Sequence, residues 1–314
     1  MEIIKVTQDE YKKIIPNPYH VFNNADFNVS NESKCERIVY LLFKDAKYRL
    51  GIIGGINDNK FTSPFSAPFG GFSFLKEDIR IKYIEEAIVL LTEWCRLQNL
   101  KKICITLPPS IYDNKFITKQ INALYRNDFN IENIDMNYHF ESENFKNNYI
   151  NSIWYSARKS LKKSFTNDLL FKFCSSLDEK QEAYSVIEKN RNERGYPLRM
   201  AFDDILSTDH IINKDFFIVY KEDEESIASA VVYYVSNVVA QVIYWGDSPE
   251  HSSLRSMNFL SFKIFEYYLD KGIKFVDIGP STERSIPNYG LCDFKESIGC
   301  DILSKFTFIK TIKG

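Results

Sequence analysis

Side chains that can exchange protons or bind anions are concentrated around the apolar run at 273–278. Asp277 lies inside this run, Glu283 and Tyr289 follow it, and Lys295 closes the segment. Carboxylates accept protons, phenols donate them, and an ammonium group binds carboxylate or phosphate as a point charge. Such a concentration at one end of a strand favours a binding or catalytic site.

The elements around this cluster form a strand-helix-strand pattern. One apolar strand ends at 242–245, a helix is predicted over 254–271, and the second strand spans 273–278. Active sites of open α/β sheets are usually built in the loops that follow the strands. We therefore expect the polar segment after residue 278 to line a site.

The composition indicates a globular protein with a substantial core. The length of 314 residues favours two domains, the hydrophobic fraction is 44%, and the formal net charge is -2. A near-neutral chain argues against a protein that coats nucleic acid through overall positive charge. The N-terminus lacks signal-peptide features and no apolar run reaches bilayer length, so a cytoplasmic location and no membrane span are expected.

The cysteines and histidines are scattered along the chain. The six cysteines form no C-x-x-C pair, and the four histidines have no metal-ligand spacing. This pattern predicts reduced thiols and no metal site.

The first half predicts a β-hairpin, a loop, a helix, a strand and a second helix. The hairpin strands are predicted at 35–44 and 48–56, the helices at 78–98 and 113–125, and the single strand at 103–107. The loop at 63–72 is dense in proline and glycine, which forbids a helix there. Its aromatic residues, Phe69 among them, either line a ligand pocket or pack the loop against the core.

An Asn-rich stretch at 131–151 predicts a strand and a crossover between domains. We place the domains at 1–145 and 146–314. A helix predicted over 149–165 then carries four basic residues on its exposed side: Arg158, Lys159, Lys162 and Lys163. This face is either simply solvated or contacts a ligand that bears phosphate.

The second half repeats the order of the first. Strands are predicted at 169–174, 216–220, 228–235, 238–245 and 273–278, and helices at 177–190 and 254–271. Both halves therefore contain a hairpin, a helix and a short strand that ends in a polar or Pro-rich loop. This repeat predicts an α/β (α+β) protein with two domains of similar architecture.

This order resembles that of GNAT-superfamily acyltransferases, and the short motifs resemble its FemAB-like branch. In that branch a strand ending in Asp leads to a Gly-containing loop and a GL..FK element. Here Asp-Ile-Gly stands at 277–279 and Gly-Leu-Cys-Asp-Phe-Lys at 290–295. The resemblance covers nearly the whole chain. It implies two GNAT-like domains, each a mixed central sheet flanked by helices.

The resemblance also implies transfer of an acyl or aminoacyl group to an amine. Such a transfer needs a deprotonated amine, a polarised donor carbonyl and a proton for the leaving group. Asp277 and Glu283 are the candidate bases, and Tyr289 or Tyr244 is the candidate acid. The candidate substrate-binding residues are Glu193, Arg194, Arg199, Tyr244, Trp245, Ser281, Asn288, Lys295 and Phe69.

These residues also have structural alternatives. Tyr244 and Trp245 end a buried strand and can form a wall of the site without taking part in the chemistry. Asp277 can cap the turn that follows it, and Glu283 can be a solvated carboxylate. Lys295 can pair with Asp293 or Glu296. Arg191, Arg194 and Arg199 can form ordinary ion pairs with Glu188 and Glu193.

The favoured function is an N-acyltransferase that acts on a small or cell-envelope precursor such as an amino-sugar nucleotide. Acyl-CoA, for example acetyl-CoA, is the implied donor, although the glycine-rich pyrophosphate loop usual in acetyl-CoA enzymes is missing between Gly246 and Gly272. The alternatives are a Fem-type transferase that uses aminoacyl-tRNA and a non-catalytic binding module. The expected partners are a small-molecule substrate, a nucleotide-sugar and tRNA, and the oligomeric state is left open.

Overall fold

The computed structural model describes residues 1–146, 148–222 and 225–312. They divide into two compact units, neither of which is a continuous stretch of chain. Unit 1 contains Met1–Met136, Arg284–Ile286 and the described residues from Leu303 on, and unit 2 contains Asn137–Glu283 and Pro287–Ile302. The division differs from a single boundary at 145/146 because the C-terminal strand returns to unit 1.

The first part of the chain forms two short helices and a hairpin, followed by alternating helices and strands. Its elements are β1 (Glu2–Val6), α1 (Gln8–Ile14), α2 (Ala25–Val29), β2 (Arg37–Lys44), β3 (Tyr48–Asn57), β4 (Lys60–Ser63), β5 (Phe72–Phe74), α3 (Ile81–Leu97), β6 (Lys102–Thr106), α4 (Asn114–Arg126) and β7 (Asn130–Glu141). The predicted hairpin, both predicted helices and the strand between them are confirmed.

The remainder of the chain repeats this order. Its elements are α5 (Glu143–Lys146), α6 (Tyr149–Ser152), α7 (Tyr155–Ser164), β8 (Leu170–Phe173), α8 (Leu177–Arg194), α9 (Phe202–Ser207), β9 (Lys214–Tyr220), β10 (Ser226–Tyr234), β11 (Val239–Asp247), α10 (Ser256–Asp270), β12 (Phe275–Pro280), β13 (Thr282–Glu283), β14 (Ile286–Pro287), α11 (Tyr289–Ser297) and β15 (Asp301–Thr311).

Two sequence predictions need correction here. The single helix predicted over 149–165 is broken between α6 and α7, where Ile153 is extended and the Trp154 N–H donates to the Ser297 carbonyl at 3.1 Å. The polar segment after β12 also contains α11, which begins where the Asn288 side chain accepts the Leu291 N–H. A capping side chain supplies one of the acceptors that the first turn of a helix lacks.

Unit 1 is built on a mixed sheet with the strand order β1-β2-β3-β4-β6-β15 and β5 attached to β3. β4 runs parallel to β6, and β15 runs antiparallel to β6 with Thr307 opposite Thr106. The apolar side of α3, including Ile84, Ile88 and Leu91, packs into the core of this unit together with Phe308. The C-terminal strand thus completes both the sheet and the core of unit 1.

Unit 2 has a second mixed sheet with the strand order β7-β12-β11-β10-β9-β8. β12 pairs parallel with β11 and antiparallel with the end of β7, while β10 pairs antiparallel with both β9 and β11. The helices α8 and α10 both contact β10. The predicted fold class, two α/β units with mixed sheets flanked by helices, is confirmed. No helix in the described part of the chain is long and apolar enough to cross a bilayer.

Candidate functional site

β11 and β12 separate toward their carboxyl ends in unit 2. Their pairing runs from Val239 opposite Phe275 to Gln241 opposite Asp277 and stops there, whereas β11 continues to Asp247 and β12 to Pro280. We call the opening between residues 242–247 and 278–280 the β11–β12 wedge. It exposes strand edges whose backbone groups are not used by the partner strand.

A β-bulge in each strand accounts for this separation. β11 has one extra residue, Ile243, because Val231 pairs with Tyr244 and Val232 with Val242. β12 has an extra residue as well, since the register against β7 shifts between Asp277 and Gly279. Bulges bend a strand and increase its twist. The bulge in β12 comes one residue after Asp277 and the bulge in β11 two residues after Gln241, so the two strands diverge at this point.

Asp277 lies at the apex of the wedge, where the pairing of β11 with β12 ends. Its carboxylate is fully buried and accepts hydrogen bonds from Asn137 Nδ2 at 2.8 Å, Gln241 Nε2 at 2.9 Å and the Gly279 N–H at 2.8 Å. Gly279 has a φ of +71°, a conformation that suits glycine. A carboxylate with these contacts and no exposed surface is suited to fixing a turn. It does not fit the predicted role of general base.

Lys295 lines the β12 side of the wedge from α11. Its ammonium group donates to the carbonyls of Ile278, Gly279 and Pro280 at 2.9, 2.9 and 3.1 Å. The residue is only 2% exposed, and burial lowers the pKa of its ammonium to about 7. Because all three N–H donors are used, Lys295 does not fit the predicted role of binding a substrate anion, and it pairs with neither Asp293 nor Glu296 in the described part of the chain.

The end of α8 is fixed against β11. Asn190 Nδ2 donates to the Asp247 carbonyl at 2.6 Å, and the same side chain fills the space beside Gly246, where a Cβ would lie 2.7 Å from it. This contact places Arg191 over the Tyr244 ring, with 5.4 Å between the guanidinium carbon and the ring centre. From the sequence alone, only ordinary ion pairs are expected for Arg191.

The segment after α8 connects β11 with α11. Tyr244 is 7% exposed, and its hydroxyl accepts the Arg199 N–H at 3.2 Å. Asn288 Nδ2 donates to the Tyr196 hydroxyl at 3.3 Å while its Oδ1 caps α11. Tyr196 and Tyr244 are thereby held at the same end of the unit 2 sheet.

Two ion pairs lie beside this segment. Arg194 contacts Asp247 at 3.3 Å, and burial raises the pKa of the Asp247 carboxyl. The pair between Arg199 and Glu283 is longer, 3.8 Å, and its side chains are 76% and 82% exposed. Glu283 is therefore open to solvent, as its structural alternative proposed.

The remaining predicted site residues lie in three different environments. Glu193 pairs with Lys189 at 3.9 Å on the surface of α8. Trp245 is half-buried, with its ring 6.1 Å from that of Phe294. Tyr289 is 76% exposed at the start of α11, and Ser281 is buried directly after β12.

The corresponding parallel pair of unit 1 is closed by its own loop. β4 pairs with β6 up to Ser63 opposite Ile105, and the Gly70 N–H then donates to the Thr106 carbonyl at 2.8 Å. Phe69 is fully buried, and its ring lies 5.0 Å from His20 and 4.6 Å from Tyr112. These contacts correspond to the alternative in which the aromatic residues pack the loop against the core. Phe69 is fully buried and has no exposed surface for a ligand to contact.

Several buried polar atoms at the wedge have no hydrogen-bond partner within the described residues. They are Gln241 Oε1, Ser281 Oγ, Ser256 Oγ and Arg191 Nε. Gln241 is the last paired residue of β11, Ser281 follows β12, and Ser256 begins α10. Unpaired buried polar atoms are rare and are often satisfied by a ligand or an ordered water. These four atoms lie on elements at the same end of the unit 2 sheet, whereas others, such as Gln120 Nε2 and Tyr40 Oη, lie in unit 1.

Potential metal ligands are dispersed. Within residues 1–146, 148–222 and 225–312, no three His, Cys, Asp or Glu side chains come together as a metal site requires.

Comparison with known proteins shows similarity of fold to solved structures. No family model matches it, and no curated protein sequence matches it. The solved structure of FemX superposes with a TM-score of 0.70 at 11% identity and covers 99% of this chain and 97% of that chain. L-PGS from Bacillus licheniformis gives 0.60 at 8% identity, with 99% and 94% covered.

A tandem GNAT protein from the clavulanic acid biosynthesis pathway gives a TM-score of 0.55 at 7% identity, and it covers 100% of this chain and 99% of that chain. Identities this low relate folds alone. The separated parallel strands, the repeated order of elements and these superpositions agree, and the chain has a tandem GNAT-like fold of the FemAB type.

Proposed function

We propose that the protein transfers an acyl or aminoacyl group to an amine, and that the reaction takes place at the β11–β12 wedge of unit 2. The observation that carries this proposal is the end of strand pairing at Gln241 and Asp277. Backbone N–H groups on the free edge of β11 can polarise a donor carbonyl, which acyl transfer requires. The loop of unit 1 occupies the equivalent position there, so we assign that unit a structural role.

Tyr244 is the proposed proton donor to the leaving group. Its hydroxyl oxygen accepts the Arg199 N–H, so its own proton is available for donation to an oxygen or sulfur atom of the donor. The side chain is almost fully buried beside the wedge, where a hydrogen bond to a developing negative charge is stronger than in water. Tyr289, the acid predicted first from the sequence, is largely exposed.

Glu283 is the proposed acceptor of the amine proton. It follows β12 directly, and its carboxylate is exposed, so it can take up a proton and release it to solvent. The long pair with Arg199 leaves most of its acceptor capacity unused. Asp277, the other predicted base, already accepts three N–H groups.

Two classes of donor fit the proposal. An acyl thioester such as acetyl-CoA is the donor that the GNAT resemblance implies. Aminoacyl-tRNA is the second, and the exposed Lys159, Lys162 and Lys163 on α7 would contact its phosphates. Arg158 is not part of that surface, because its guanidinium donates to the Asn151 carbonyl at 2.9 Å. The proposed acceptor is the amine of a small molecule or cell-envelope precursor such as an amino-sugar nucleotide.

A binding screen followed by turnover assays tests the proposal. Acetyl-CoA, longer acyl-CoAs, charged tRNA and UDP-amino sugars are screened by thermal shift, since a ligand at 100 times its Kd stabilises the native state by about 2.7 kcal/mol. The stabilising donor and acceptor are then assayed together with the Tyr244→Phe and Glu283→Gln variants. General acid and base catalysis contributes roughly 10²–10⁴-fold, so each variant should lose turnover in that range while keeping its thermal shift.

Tyr289→Phe is the matched control because it removes a phenol at the exposed start of α11. It should retain turnover. Full activity in both Tyr244→Phe and Glu283→Gln would refute the assigned roles. Ligand binding with no transfer in any donor and acceptor combination would instead support the alternative of a non-catalytic binding module.

A further inference from the structure

We propose that Arg191 forms a binding site for an oxyanion, the carboxylate or phosphate of a ligand, beside the rings of Tyr196 and Tyr244 in unit 2. The site extends the proposed function. Only the statement that the bound anion belongs to a substrate rests on that function. Binding of the anion itself can be measured without turnover.

The position of Arg191 is fixed by its neighbours. Asn190 anchors the end of α8 to the Asp247 carbonyl, and the next residue places its guanidinium carbon 5.4 Å from the Tyr244 ring centre and 5.8 Å from that of Tyr196. Tyr196 is held in turn by the hydrogen bond from Asn288. A cation oriented before its ligand arrives loses little entropy on binding.

Arg191 differs from the nearby arginines in having no carboxylate partner within the described residues. Arg194 pairs with Asp247 and Arg199 with Glu283. The expected partner Glu193 pairs with Lys189 instead. Among the residues that the structure describes, Arg191 contacts no carboxylate.

The guanidinium of Arg191 is also partly removed from water. Its Nε is buried and has no acceptor in the part of the chain that the structure describes, and burial lowers the pKa of the group. A partly buried cation without a counter-charge is costly, and an oxyanion would remove that cost. Burial is the main reason for the lowered pKa of Lys295, and repulsion from the nearby Arg191 charge lowers it further.

Carboxylate and phosphate are the ligand groups that suit this arrangement. A cation–π contact uses the positive charge of the guanidinium but none of its N–H groups as donors to an acceptor atom. The N–H groups therefore stay available for two parallel hydrogen bonds to a planar carboxylate or to a phosphate. An anion held there would lie beside the Tyr244 hydroxyl and would fix the orientation of the substrate.

The test compares Arg191→Met with Lys189→Met in the full-length protein. Lys189 is on the same helix and carries the same charge, but it is exposed and already paired with Glu193 and Glu250. Inorganic phosphate, UDP and acetate are titrated at constant ionic strength and followed by thermal shift and calorimetry. We expect an anion to raise the Tm of the wild type and of Lys189→Met, and Arg191→Met to weaken its binding about tenfold to hundredfold.

The three probes separate the two sources of the anion. Binding of phosphate and UDP identifies a phosphate ligand, and binding of acetate alone identifies a carboxylate. Without any anion, Arg191→Met should melt at or above the wild-type temperature, since it removes an uncompensated charge. A purely structural Arg191 would give the opposite result.

Two results would overturn the site: equal anion binding by Arg191→Met and the wild type, or the absence of a shift in the wild type with all three probes. Arg191-dependent binding combined with no transfer in any donor and acceptor combination would leave the anion site standing and remove the proposed function. The two proposals can therefore fail separately.

Discussion

Lys295 satisfies three successive carbonyls at the end of β12. Beyond the last residues that pair with β11, its ammonium group donates to the carbonyls of Ile278, Gly279 and Pro280. Asp277 satisfies the Gly279 N–H in the same turn. The wedge is therefore kept open by a buried cation and a buried carboxylate.

Replacement of Lys295 by Met should destabilise the protein. The change leaves buried carbonyls without a donor, and each unsatisfied group costs about 1–3 kcal/mol. Urea unfolding of Lys295→Met should show a lower midpoint than the wild type. Lys159→Met, which removes an exposed lysine from α7, should unfold like the wild type.

The penalty of Lys295→Met should also grow as the pH rises. Burial lowers the pKa of Lys295 to about 7 from the ordinary value of 10.5. Between these values the unfolded chain binds a proton that the folded chain has released, so the stability of the wild type rises with pH relative to a variant that cannot titrate. A constant difference between the two proteins from pH 7 to pH 10 would contradict a lowered pKa.

The sequence pattern predicts the strand end and the polar segment around Asp277, but not the contacts of the individual residues. The strand and the polar segment after it can be predicted from local pattern. Asp277 lies in this strand, and Asn288 and Lys295 lie in the segment that follows it. Their partners are not local: Asn137 reaches Asp277 from another strand. A side chain whose hydrogen-bonding groups are all used within the fold cannot be distinguished by sequence from one that binds a ligand.

At the scale of elements, the two units use the same parallel strand pair differently. In unit 2, bulges at Ile243 and next to Asp277 separate β11 from β12. In unit 1, the loop after β4 extends the contact with β6 through the Gly70 N–H. Hydrophobic periodicity predicted most of these strands and helices correctly, because amphipathic spacing is a local property. It could not predict the bulges, which depend on pairing with neighbouring strands.

Phe69→Ala should destabilise unit 1 strongly. The ring is fully buried between His20, Phe22 and Tyr112, and truncation of a buried Phe costs about 3–5 kcal/mol. Phe65→Ala is the matched control, since Phe65 lies in the same loop but is only half-buried and should cost less. The free energies of unfolding of both variants check this. A small loss for Phe69→Ala, together with a new affinity for acyl-CoA, would reinstate the pocket interpretation of the loop.

At the scale of the whole molecule, each compact unit depends on a strand from the other half of the sequence. Unit 1 contains most of β15, whose Phe308 lies in its core. Unit 2 contains residues 137–141 at the end of β7, which pair with β12. The sequence repeat predicted two similar halves, but periodicity carries no information on which strand completes which sheet. A cut at 145/146 would remove a strand from both units.

Because each unit contains a strand from the other half of the sequence, we predict that the two halves are not independent folding units. Fragment 1–145 lacks β15 and should unfold at a lower urea concentration than the intact chain or fail to fold. Fragment 137–302 should be more stable than fragment 146–302, because it keeps the pairing with β12 and the hydrogen bond from Asn137 to the buried Asp277. A hydrogen bond to a charged group contributes about 1.5–3 kcal/mol, and urea unfolding followed by circular dichroism resolves a difference of this size. Equal stability of 137–302 and 146–302 would show that the β7 residues add nothing to unit 2, and cooperative folding of 1–145 alone would show the same for β15 in unit 1.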